Sequence, residues 1–131
     1  MEEETKRLMV IATTDNDPDT RKKAGECVVF DLEKAGEFDQ LWQMQFDRRL
    51  EREVGIAAGL AAADGLARDG KTMKLMHIRR DSPFPEVKLE IRLHLEKAGL
   101  VDGWKAELFR RRMKHLRGPA PQPPRGEIAR A

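Results

Sequence analysis

The pentapeptide Leu-Glu-Lys-Ala-Gly occurs twice in this 131-residue chain, at Leu32–Gly36 and again at Leu95–Gly99, 63 positions later. The likeness runs past the five residues. Asp39 aligns with Asp102, Phe46 with Phe109, and Arg48-Arg49 with Arg111-Arg112. Over Asp31–Glu51 nine of 21 aligned positions are identical, well above what unrelated sequence gives. Each copy follows a short apolar run and a polar loop that contains proline. The chain is therefore expected to fold as two copies of one supersecondary unit, stacked because a single copy cannot bury its own apolar face.

Local pattern gives the expected content of each unit. Residues 1–5 are expected to be frayed and disordered. Arg7–Thr13 is a continuous apolar run of strand length, and Met73–Ile78 is its counterpart. Thr14–Asp19 and Asp81–Glu86 are the matching loops. Asp17 is placed to cap a helix, with Pro18 at its first position and Gly36 as its stop. That helix, Pro18–Ala35, presents Ala24, Cys27, Val28, Leu32 and Ala35 as a stripe. A competing reading makes Glu26–Leu32 a strand, because Val28, Phe30 and Leu32 alternate.

Phe38 to Arg68 reads as helical with room for one break, carrying Leu41, Trp42 and Phe46 on one face. Within it, Gly55–Gly65 is almost all small residues, which suits a helix that its neighbours approach closely. Asp69-Gly70 is a turn. Val87–Leu95 is ambiguous: Val87, Leu89, Ile91, Leu93 and Leu95 alternate like a half-buried strand, yet Val87, Ile91, Leu95 and Ala98 also form a helical stripe. The Glu-Lys-Ala-Gly ending shared by both copies favours helix. Asp102 then caps a last helix, Gly103–Leu116, followed by a Pro-rich tail, 118–131, expected to be disordered.

The expected fold class is thus α/β, helix-rich: a single domain over 6–117, made of two tandem strand–helix–helix units (6–68 and 71–117) around a small parallel sheet. The alternative is α+β, with Glu26–Leu32 and Val87–Leu95 as additional strands. Two strands alone make a marginal sheet, so a homodimer that extends it is expected.

Composition narrows the function. Apolar residues make up 40% and charged residues 37% of the chain, so the core is lean and the surface dense with charge. With no Tyr and 5% aromatics, a base-stacking platform is disfavoured. One cysteine, Cys27, makes no internal disulfide and no Cys-rich zinc cage. The acidic Met-Glu-Glu-Glu-Thr start does not read as a secretory leader, and no run reaches transmembrane length. A cytoplasmic setting without membrane contact is the expectation. The net charge of +2 conceals a split. Residues 1–70 hold 10 Lys/Arg against 16 Asp/Glu, a balance of −6, and residues 71–131 hold 15 against 7, a balance of +8.

Two clusters carry potential chemistry. Asp15, Asp17 and Asp19 alternate directly after the first expected strand, where α/β sheets bind ligands. Three carboxylates there could hold Mg²⁺ and orient a phosphate. The plainer reading is that Asp17 caps a helix and the others decorate a solvated loop. Arg110, Arg111, Arg112, Lys114 and Arg117 crowd about two helical turns, a pattern that binds phosphates. Its plainer reading is a solvated face that also contacts the acidic half. His77, His94 and His115 are scattered, and His77 and Cys27 are read as packed core residues. Phe84, between Pro83 and Pro85, either anchors a partner or folds back onto the core.

Ile11–Pro18, followed by a helix to Gly36, loosely resembles the opening of the small sulfur-relay proteins. The apolar strand expected after Gly36 is missing, and Cys27 does not fall on a sulfur-carrying position, so no function is carried over. The expected function is a small binding or accessory protein acting on a protein or nucleic-acid-like polyanion through its basic C-terminal helix, with no cofactor. The alternative is a Mg²⁺-dependent phosphoryl-group enzyme that uses the acidic loop.

Overall fold

A computed structural model describes residues 2–100 of the chain. By contacts the chain divides into Met1–Ala98 and Gly99–Ala131, and the fold below is that of the first unit. It consists of six helices: α1 (Glu3–Thr14), α2 (Pro18–Ala35), α3 (Phe38–Met44), α4 (Arg52–Arg68), α5 (Thr72–Ile78) and α6 (Pro85–Lys97). No strand occurs among the described residues. The expected α/β class, its parallel sheet and the α+β alternative are all overturned.

The two expected strands failed for one reason: an apolar run this short fits either period, and its neighbours decide. Arg7–Thr13 belongs to α1, whose first turn carries Glu3 and Glu4, charges that favour a helix N-terminus. Thr5 and Ala12 are buried while Val10 is exposed, a spacing of one helical face. The stretch expected to fray therefore holds the first turn, and the Thr5 hydroxyl donates to Asp31 of α2 at 3.3 Å. Met73–Ile78 is α5, with Leu75 inward and Met73 outward. With the sheet gone, the argument for a dimer that completes it goes too. The strand on which the sulfur-relay resemblance rested is likewise a helix.

The ambiguous stretches settle the same way. In α6 Val87 and Ile91 are fully buried and Leu95 nearly so, whereas Leu89 is 58% and Leu93 47% exposed. The inward residues are spaced by four, as a helix requires. In α2 Val28 and Leu32 are buried and Phe30 is exposed. Both pentapeptides end a helix: Leu32 and Leu95 are buried, and Gly36 and Gly99 take φ of 72° and 79°. After α2 the Glu37 N–H bonds Leu32 O and the Gly36 N–H bonds Glu33 O, a reciprocal pair that satisfies the last free carbonyls.

The small-residue helix α4 is the hub. It packs against α2, α3, α5 and α6, while α1 lies along α2. Glycine sets how closely these neighbours approach. A Cβ on Gly25 of α2 would meet Val54 of α4 at 2.7 Å. On Gly65 it would strike the Phe38 ring, on Gly55 the Phe84 ring, and on Gly59 both Gln45 and Val87. Nearly every face of α4 is covered, with Val54, Ala58, Ala62, Ala63 and Leu66 buried. Ion pairs tie the rim. Arg21 bonds Glu51 through Nε and Nη2 at 3.1 and 2.9 Å, Arg52 reaches Glu86 at 3.3 Å, and Lys74 pairs with Asp39. Among the described residues no helix is long and apolar enough to cross a membrane.

Candidate functional site

The seam between α4 and α6 brings three titratable side chains together. Gly59 admits Val87, so the two helices run close enough for polar residues further along to meet. Asp64 stands in the last turns of α4; Glu90 and His94 stand one turn apart on α6. The Glu-x-x-x-His spacing places both on one side of the helix, at the edge of the buried stripe. His94 Nε2 lies 2.6 Å from Asp64 Oδ1 and 3.4 Å from Glu90 Oε2.

The three side chains are partly shielded, at 20% exposure for His94, 33% for Glu90 and 45% for Asp64. The Glu90 carboxyl is raised above its ordinary value. The first cause is a hydrogen bond shared with Asp64, followed by desolvation and the Asp64 charge; His94 and Lys97 pull the other way. One ligand atom from each residue lies within 4.8 Å of the other two, and no other His/Cys/Asp/Glu set does so among the described residues. Two carboxylates and an imidazole in this arrangement can share a proton or hold a cation.

No family model, curated protein or solved structure matches the chain.

The residues singled out from the sequence fall elsewhere. Asp15 and Asp17 lie in the loop between α1 and α2, and Asp19 in the first turn of α2. Asp15 Oδ1 accepts the Asp17 N–H at 2.9 Å. Asp17 Oδ2 accepts the Thr20 hydroxyl at 2.8 Å, the main cause that lowers its carboxyl below the ordinary value. The two side chains thus shape the entry to α2. The three carboxylates do not close into a ligand set, and no strand end stands behind them. Phe84 folds back: its ring lies over Gly55, with the Arg52 guanidinium 5.6 Å from its centroid. Arg110, Arg111, Arg112, Lys114 and Arg117 lie outside the described residues, as do the expected helix Gly103–Leu116 and the tail.

Two expectations are corrected. His77 is exposed on α5 rather than packed in a strand. Cys27 is exposed on α2. The buried arc there runs through Ala24, Gly25, Val28, Val29 and Leu32, and Cys27 projects about 60° beyond its edge at 100° per residue. The residue passed over was His94. Its signal was the Glu90–His94 spacing, visible once Val87–Leu95 is taken as a helix. Nothing in the sequence placed Asp64, 30 positions away, beside them.

Proposed function

We propose that this chain works by binding a polyanion through the basic segment Arg110–Arg117. The observation that carries the reading is local charge: Arg110, Arg111, Arg112, Lys114 and Arg117 fall within eight residues that include no carboxylate. Clustered guanidinium groups release condensed counterions when they neutralise phosphates, and arginine adds bidentate geometry that suits phosphate oxygens. The wider split supports it, −6 over residues 1–70 against +8 over 71–131. A net negative charge over the first half of the sequence repels a polyanion, which favours binding at the basic segment over nonspecific binding elsewhere on the chain.

The test is the affinity of the full-length protein for a single-stranded oligonucleotide, measured across a salt series. Five contacts predict a slope of log K against log salt of roughly −3 to −4. Arg110→Ala, Arg111→Ala and Arg112→Ala together reduce both the affinity and the slope. Affinity that ignores salt, or that survives the triple substitution, rejects the proposal and leaves a protein partner as the reading to pursue.

A further inference from the structure

We infer that Asp64, Glu90 and His94 form a binding site for one divalent first-row transition ion, for which Zn²⁺ is the fitting probe. Geometry carries the argument. The three ligand atoms already lie within 4.8 Å of one another. Two ligands on a tetrahedral zinc, each about 2.0–2.2 Å from the ion, stand roughly 3.4 Å apart. The His94–Glu90 separation of 3.4 Å meets that requirement as it stands. The His94–Asp64 separation of 2.6 Å must open, which the Asp64 side chain, 45% exposed, is free to do by a small rotation.

The chemistry of the set selects the ion. An imidazole nitrogen suits zinc and its neighbours, whereas magnesium and calcium want oxygen alone. Two helices supply the ligands, with Glu90 and His94 one turn apart on α6 and Asp64 on α4, so the site rests on rigid elements. Partial exposure leaves room for water to complete the coordination. Electrostatics add a reason: two carboxylates held close together repel, a divalent ion between them relieves that repulsion, and His94 offers a nitrogen lone pair at Nε2. Lys97 opposes the ion weakly from the next turns of α6.

Calorimetry on the full-length protein tests this with Zn²⁺ alone, then with Mg²⁺ alone. Expected are one equivalent of Zn²⁺ bound, a rise in thermal midpoint, and tighter binding as pH rises from mildly acidic to neutral. Asp64→Asn and Glu90→Gln keep shape and remove one charge each. Either weakens Zn²⁺ by about tenfold or more, at least the range that removing a mere supporting group costs. His94→Gln removes the nitrogen ligand and, with Co²⁺ as the probe, lowers the intensity of the visible d–d bands that a four-coordinate ion shows. Circular dichroism confirms that each variant is folded. Absence of Zn²⁺ binding overturns the inference. So does binding that all three variants retain, which would place the ion on other groups, or Mg²⁺ binding of equal strength.

Discussion

The Ser82 hydroxyl donates to Gln45 Oε1 across 2.6 Å, joining the turn after α3 to the loop before α6. Neither residue is more than 4% exposed. Each side chain makes a further bond as well. Gln45 Nε2 donates to Trp42 O at 2.9 Å, and Ser82 Oγ accepts the Phe84 N–H at 3.1 Å. Removing one partner strands the others. Ser82→Ala is expected to cost about 1–3 kcal/mol, measured by urea unfolding. A change within about 0.5 kcal/mol, the usual range for surface substitutions, would mean that water or a rotated amide replaces the bond.

Gly59 stands under that same amide. Its missing side chain leaves Gln45 Oε1 and Val87 Cγ2 at 2.5 and 2.7 Å from where a Cβ would sit. Alanine favours a helix by about 1 kcal/mol over glycine, so propensity alone predicts that Gly59→Ala stabilises. The contact argument predicts the opposite sign. Both neighbours are buried, and overpacking costs roughly 1–3 kcal/mol. The expected net result is a loss, read as a lower thermal midpoint.

The period of α6 is open to direct measurement. Ile91 is fully buried and Leu89 is 58% exposed. Ile91→Ala should cost about 2–5 kcal/mol through lost burial and the cavity left behind. Leu89→Ala should stay within about 0.5 kcal/mol. A strand would put both residues on one face, so equal losses would contradict the helical assignment.

Glu90 sets a pH dependence with a definite sign. Its folded-state value is raised above 4.5, so between 4.5 and the raised value the folded protein binds more protons than the unfolded chain. Stability then falls as pH rises through that window; the penalty is absent below it and complete above it. Glu90→Gln removes the titration. Urea midpoints of the two proteins, compared without added metal from about pH 4 to about pH 7, should shift in favour of the glutamine variant as pH increases. A constant difference would show that the carboxyl is unperturbed.

How legible was this fold? The helix Pro18–Ala35 is the favoured reading over a strand at Glu26–Leu32, because Asp17, Pro18 and Gly36 mark its ends, although the Asp17 side chain makes no capping bond. The close packing of the small-residue helix and the turn at Gly70 could also be read, whereas the break that leaves Arg48 and Leu50 outside both α3 and α4 is allowed for but not placed. Secondary-structure type could not be read at Arg7–Thr13 and Met73–Ile78, where nothing inside the run separates the two periods. The deciding contacts, Thr5 to Asp31 and Leu75 to the body of the protein, are tertiary. The site was half legible. Spacing alone links Glu90 to His94, but Asp64 joins them only because Gly59 lets α6 settle against α4, a fact of packing.

The glycines of α4 bear on how the molecule comes into being. A segment with Gly55, Gly59 and Gly65 is a poor seed for structure, since each glycine weakens it as an isolated helix. On the ribosome, α1 and α2 emerge first and can pair, but α4 must wait for Val87 and Ile91 to leave the exit tunnel before its far side is covered. The body thus closes late and collectively, and a chain that stops before residue 87 displays its alanine-rich middle to chaperones and proteases.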